Sequence, residues 1–269
     1  MASGAAQGGA IIGHEAILAL LPKLSASTLL FTGPEGVGRR TVARWYALGL
    51  NLGFPPPFPF EHPDLLEIAP KGKALRGRAE IPLEEVEPLF AWLSTHPRGQ
   101  AKVAVLDGAH LLTPAAANAL LKLLEEPPAY ARLILITPSR DTLFPTLASR
   151  AVEVAFSPVP EEKMRVLTED PELLAYAMGA PGRLFRALSD LQAFRGRMGK
   201  AKALLKAGSL ERLSLLKELL AEEEGFQALY ALLKERPERL LPLFRAQEAL
   251  ERYVSPDLVL ARLALDLGL

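Results

Sequence analysis

The chain has 269 residues, 49% hydrophobic and 23% charged, enough for one large domain or two to three small ones with a full core and too apolar for a disordered chain. Lys+Arg and Asp+Glu balance at 31 each, so no global field draws it to nucleic acid or an anionic membrane, and any DNA contact must be a local patch. Zero Cys excludes disulfides, Cys-ligated zinc and thiol catalysis, and His14, His62, His96 and His110 show no metal-ligand spacing, so no metal site is expected.

The opening residues, Met1 to Ala10, are rich in Gly and Ala without a basic segment, and Ile11-Ile12 is too short for a signal core. No apolar stretch reaches membrane-spanning length, so the expectation is cytoplasmic, with no membrane partner. Asn occurs only at 51 and 118, and scarce amides with absent Cys fit a thermophile.

Leu29–Thr32 reads as a buried strand, and a helix is expected over Thr41–Leu50. Between them Gly33-Pro34-Glu35-Gly36-Val37-Gly38-Arg39-Arg40-Thr41 follows the phosphate-binding loop pattern G-x-x-x-x-G-K-[ST], with Arg where Lys and the Mg²⁺-binding hydroxyl belong. Gly33, Gly36 and Gly38 let the backbone wrap phosphates at a helix N-terminus. Thr41 does not simply replace the missing hydroxyl, because one residue further along a helix points roughly 100° away. Arg39 and Arg40 have three readings: a grip on phosphate, a plug that repels Mg²⁺, or a solvated helix start.

The run Gly53 to Phe60 carries four prolines and reads as a stiff surface connection, with Phe54, Phe58 and Phe60 as packing or partner contacts. Asp64–Ile68 is the second candidate strand. Lys71, Lys73, Arg76 and Arg78 form a Gly-punctuated basic loop, read as a solvated hairpin with phosphate contact as the alternative. A helix is expected over Leu83–Ser94, and Arg98 and Lys102 are candidate nucleic-acid contacts.

Lys102–Leu106 is the third strand and runs into Asp107, as in a Walker B segment whose acid holds Mg²⁺. The usual catalytic Glu is replaced by Gly108, and His110 reads as a loop or cap residue rather than a substitute base. Thr113 caps a helix to Glu126 with Pro114 in its first turn, and Pro127-Pro128 stop it. Arg132–Thr137 is the fourth strand and Val152–Phe156 the fifth, so the first half reads as a parallel α/β sheet. Beyond Pro158 strand signals vanish. Short Pro-punctuated helices extend to about Leu191, and leucine-faced helices follow from Phe194, with Leu213, Leu216, Leu219 and Leu220 on one and Leu258, Leu260, Leu263 and Leu267 on another. Those faces bury either against partner helices or against their own chain.

The runs Ile12 to Glu15, His62-Pro63-Asp64, Asp107 to Leu112, Ala115 to Pro128, Ser149-Arg150 and Gly179 to Arg183 together resemble the clamp-loader branch of the AAA+ family, over about residues 11 to 190. The resemblance implies a RecA-like domain over 1–157 with a degenerate P-loop, a small helical lid over 158–193, and an all-α collar over 194–269. It implies assembly with gamma/tau and delta subunits into a pentamer that loads a sliding clamp on primed DNA. Ser149-Arg150-Ala151 stands where the family has Ser-Arg-Cys, so Arg150, with Ser149, would serve as an arginine finger in trans; a surface or intrachain ion-pair role is the bland alternative. Arg183 of the lid and Asp107 would belong to the vestigial nucleotide site. No cofactor is then required, and Mg-ATP binding and hydrolysis are not expected of this chain. The competing reading is an active ATPase of the gamma/tau type, using Arg39 with Thr41 after a loop shift. The cysteines that bind zinc in related chains are absent, so that module is missing or rebuilt around the Pro-rich run.

Overall fold

The computed structural model describes residues 11–57, 59, 61–70, 80–222, 224–251 and 255–267. The basic loop of Lys71, Lys73, Arg76 and Arg78, and Phe58 and Phe60, lie outside them. The chain forms two compact units, one ending at Val159 and one beginning at Pro160.

The first unit runs α1 (Glu15–Leu20), β1 (Thr28–Thr32), α2 (Arg39–Leu52), β2 (Leu65–Ile68), α3 (Leu83–Leu93), β3 (Lys102–Asp107), α4 (Pro114–Glu125), β4 (Ala131–Thr137), α5 (Pro145–Ala148) and β5 (Val152–Ala155). The five strands are all parallel, in the order β2-β3-β4-β1-β5. Burial follows position in the sheet. The interior strands β1, β3 and β4 are almost wholly buried, whereas the edge strands β2 and β5 are partly exposed. That is why the interior strands read as continuous apolar runs and not as alternating ones.

One sheet face packs Leu30, Ala104, Leu106, Leu133 and Leu135 with Val86 and Leu89 of α3 and Leu120 and Leu124 of α4. Thr113 caps α4 by accepting from the Ala116 amide at 3.3 Å, with Pro114 at the first turn. Helix α2 packs against β2, β3 and β4 and begins at Arg39, two residues before the expected Thr41, because Gly38 turns at φ 107° and its carbonyl already accepts from Val42. Both arginines therefore stand in the first turn. The described residues of the Pro-rich connection are neither helix nor strand, and Phe54 there packs its ring 4.9 Å from that of Trp45.

The second unit is all helical: α6 (Glu161–Met164), α7 (Pro171–Ala177), α8 (Pro181–Ser189), α9 (Leu191–Lys206), α10 (Ser209–Ala221), α11 (Gly225–Leu233), α12 (Pro237–Glu251) and α13 (Pro256–Asp266). The expected break between 193 and 194 falls inside the first turn of α9, which Asp190 caps by accepting from Ala193. Phe194 packs edge-on against Tyr176 of α7, with ring centroids 5.0 Å apart. The short module and the tail therefore share one core.

A carboxylate ties that core together. Glu224, 7% exposed, accepts from the Tyr176 hydroxyl at 2.8 Å and from Arg186 at 2.9 Å, with Arg197 at 3.5 Å and Arg183 at 4.0 Å. Of the leucine faces, Leu216, Leu219, Leu260, Leu263 and Leu267 are buried within this unit, so packing on their own chain is the outcome for them. Leu258 is not; it stays exposed, as do Leu241, Phe244 and Leu265. Replacing Glu224 by Ala strands buried guanidinium charge and should destabilise this unit by about 3 kcal/mol. Chemical denaturation followed by circular dichroism checks this, and an unchanged midpoint contradicts it.

Candidate functional site

Strand β1 delivers the chain to Gly33 at the carboxyl edge of the sheet. A side chain at Gly33 would place its Cβ 2.2 Å from the Phe156 carbonyl oxygen, and its φ is 133°, so only glycine passes here. The loop is also held from the N-terminal side. His14 Nε2 lies 2.9 Å from the Val37 carbonyl, and its ring meets Phe156 edge-on at 5.0 Å. The run Ile12 to Glu15 stood out in the sequence, but this role for His14 did not; Gly13 and His14 both adopt positive φ. The result is a glycine loop opening onto the N-terminus of α2, an arrangement suited to anions.

The two arginines fill that arrangement in different ways. Arg39 is buried and donates to the Thr137 carbonyl at the end of β4. Burial lowers its pKa, with Asp107 and Glu35 pulling the other way. Arg40 donates through Nε to Glu67 at 3.2 Å and stands 3.8 Å from Asp107 Oδ2. Arg44, one turn on, donates to the same Glu67 at 2.6 Å. Burial works to raise the Glu67 pKa, but hydrogen bonds and charge from Arg44 and Arg40 override it and hold the group at about 2.

These residues do not fit a hydrated Mg²⁺. A guanidinium stands where the metal-ligating hydroxyl would be, next to the acid that would hold the metal, and its charge repels a dication. Thr41 is exposed and makes no side-chain hydrogen bond among the described residues. Gly108 sits at φ 86°, a left-handed backbone that disfavours a glutamate at the position of the usual catalytic acid. His110 lies in a short 3₁₀ turn after β3, as the loop reading expected. Burial, then the charge of Arg39, lowers its pKa against the pull of Asp107, so the imidazole is neutral at neutral pH. Among the described residues no cluster of three or more His, Asp or Glu is placed to hold a metal ion.

Ser149 and Arg150 follow α5, remote in sequence from the loop. Arg150 is exposed and donates to Glu125 at the end of α4, through Nη2 at 2.6 Å and Nε at 3.1 Å, and through Nη1 to the Thr146 carbonyl at 2.9 Å. The Ser149 hydroxyl donates to that same carbonyl at 3.1 Å. Arg183 belongs to the second unit, where it donates to the Ala177 carbonyl at 2.8 Å beside Glu224. Its guanidinium is engaged by its own unit.

The two nucleic-acid candidates separate. Arg98 is exposed on the loop before β3, a loop anchored where Asp64 accepts from Gly99 at 2.7 Å and Asn51 accepts from Gln100 at 2.7 Å. Lys102 is 2% exposed, which corrects its assignment as a DNA contact. Its ammonium donates to the Trp92 carbonyl and the Thr95 hydroxyl at the C-terminal end of α3, and lies 4.7 Å from the Trp92 ring centre. The negative end of a helix dipole is the physical reason a lysine is tolerated there.

Residues 59–160 match the family model described as "DNA polymerase III, delta subunit". Over 102 residues the chain is 41% identical to the DNA polymerase III subunit delta′ of Escherichia coli, covering 38% of this chain and 29% of that protein. Over 181 residues it is 32% identical to the subunit delta′ of Pseudomonas aeruginosa, covering 58% of this chain and 54% of the relative. Over these segments the chain is similar to bacterial DNA polymerase III delta′ subunits. It is also 30% identical over 210 residues to the tau/gamma subunit of Haemophilus influenzae, covering 66% of this chain and 29% of that protein. Each alignment thus spans less than two thirds of the relative's own length. A DNA polymerase III gamma subunit-related protein of Thermotoga maritima shares the fold, with a TM-score of 0.51 at 23% identity over 94% of this chain and 97% of the other. No helix among the described residues is long and apolar enough to cross a membrane.

The depressed pKa of Glu67 has a pH consequence. Its folded value of about 2 lies below the ordinary 4.5, so its contribution to stability is full above 4.5 and is lost as pH falls toward 2. Arg40→Ala removes one of the two guanidiniums that depress it and should move the onset of acid unfolding to higher pH. Circular dichroism along an acid titration reads this, and coincident curves for the two proteins contradict the assignment.

Proposed function

We propose that this chain is a non-hydrolysing clamp-loader subunit that assembles with gamma/tau and delta subunits, acts on primed DNA within that assembly, and donates Arg150 in trans to a nucleotide held by its neighbour. The carrying observation is the position of Arg40, whose guanidinium spans Asp107 and Glu67 where an active site would need a hydroxyl and a metal. The phosphate lysine and the catalytic acid are replaced at the same site, by Arg39 and Gly108.

Homology to delta′ subunits supports the assembly role, and the exposed Arg150 after α5 supports the finger. A finger acts on charge that develops in the transition state and supplies up to ~10³–10⁵ in rate at the site it serves. The exposed Leu241, Phe244, Leu258 and Leu265 on α12 and α13 are the surface we assign to collar contacts, since apolar side chains gathered on one helical unit favour association. Arg98 remains the candidate contact to nucleic acid.

The test has two arms. The chain alone with Mg-ATP should release phosphate at the rate of buffer; turnover that disappears on Asp107→Asn would instead establish the active-ATPase reading. In a loader reconstituted with gamma/tau and delta subunits, Arg150→Ala should lower DNA-stimulated hydrolysis in part, because only one interface loses its finger. Assembly of the mutant is checked first by native mass measurement. Wild-type hydrolysis and clamp loading by that assembly would return Arg150 to a surface role.

A further inference from the structure

We propose that Glu125 is a positioning residue for Arg150, holding its guanidinium in one pose while leaving an Nη2 donor open to an incoming anion. The proposal rests on the trans-finger reading and adds to it the residue that sets the finger's geometry.

A guanidinium has five N–H donors. In Arg150 the Nε donor and one Nη2 donor go to a single oxygen, Oε1 of Glu125, at 3.1 and 2.6 Å. The Nη1 donors go to the Thr146 carbonyl at 2.9 Å and, in a long bond, to the Ser149 hydroxyl at 3.4 Å. One Nη2 donor is left over, and the long bond to Ser149 is the one most readily exchanged. A free donor beside an exchangeable one on a planar group suits a phosphate oxygen pair.

The placement of the carboxylate is set by the fold. Glu125 is the last residue of α4, and Thr146 lies in the short α5, so two separate elements hold one side chain. The negative end of α4 favours a cation at this spot. Residues 125 and 150 are 25 apart in the chain, and the pairing is made by the tertiary structure. Burial argues against a structural role. The side chains of Arg150 and Glu125 are 35% and 51% exposed, and an exposed pair of this kind contributes little to folding. What it does contribute is order in a long flexible side chain, which counts when the acceptor arrives from another molecule.

The experiment uses the full chain reconstituted with gamma/tau and delta subunits, measuring kcat and KM for ATP in DNA-stimulated hydrolysis. Four variants are compared: Arg150→Ala, Glu125→Ala, Glu125→Gln and the double Glu125→Ala/Arg150→Ala. Arg150→Ala sets the size of the finger's effect. Glu125→Ala should reproduce at least half of that fall in kcat, with KM unchanged and the melting temperature of the chain within about 2 °C of wild type. Glu125→Gln keeps an acceptor oxygen and should stay within about twofold of wild type. The double variant should match Arg150→Ala alone, since Glu125 acts only through the arginine. Wild-type kcat in Glu125→Ala beside an impaired Arg150→Ala overturns the proposal and leaves the finger reading standing. A wild-type Arg150→Ala overturns the finger reading itself. A double variant worse than Arg150→Ala shows that Glu125 acts elsewhere and also overturns the proposal. If Glu125→Ala fails to assemble, Glu125→Asp decides, because it keeps the charge but withdraws the oxygens by one methylene; an unchanged kcat there is the contrary result.

Discussion

A single guanidinium organises the carboxyl edge of the sheet. Arg40 leaves the first turn of α2 and meets Glu67 of the edge strand and Asp107 of the interior strand, where two carboxylates facing a cradle would otherwise repel each other. Arg44 adds a second cation to Glu67 from the next turn of the same helix. The cluster neutralises itself with side chains alone. The charge of the two carboxylates is balanced by arginines of α2, and α2 is tied by them to the sheet. Arg39 turns its donor instead to the Thr137 carbonyl at the end of β4.

The second unit is organised by the opposite charge. Glu224 stands before α11 in a left-handed conformation and gathers the Tyr176 hydroxyl and three arginines drawn from α8 and α9. Burial, then the hydrogen bond and charge of Glu224, pushes the Tyr176 hydroxyl far above its ordinary pKa, so it remains a donor. A loop carboxylate that engages side chains from α7, α8 and α9 joins what sequence reading had divided into a lid and a collar. The 193/194 boundary lies within the first turn of α9, where Phe194 packs against Tyr176 of α7.

The two arginine motifs illustrate how little a motif says about the state of its side chain. Arg150 and Arg183 both lie in runs that resemble functional motifs, yet one is held at the surface by a single carboxylate and the other is buried against its own unit. Lys102 makes the same point more sharply. As a lysine at a strand entrance it reads as a surface cation, and only the approach of the α3 C-terminus gives its ammonium a buried set of acceptors.

Local patterns in the chain determined the five strands, the three longer helices between them, the glycine loop and the arginines at its lysine and hydroxyl positions, because these depend on hydrophobic period, caps and backbone freedom over a few residues; the short α5 was not among them. The parallel order of the sheet was also legible as a class, since strands separated by helices pair no other way so readily. Which partner each charged side chain takes was not legible. Arg40 with Asp107 and Glu67, Arg150 with Glu125, and Glu224 with Tyr176 and Arg186 join residues 25 or more positions apart, and a sequence lists charges without the distances between them. The chain alone specified that Arg39 and Arg40 stand at the lysine and hydroxyl positions of the loop pattern. Tertiary packing decided which partners they take, because an ion pair exists only where folding brings both ends within reach.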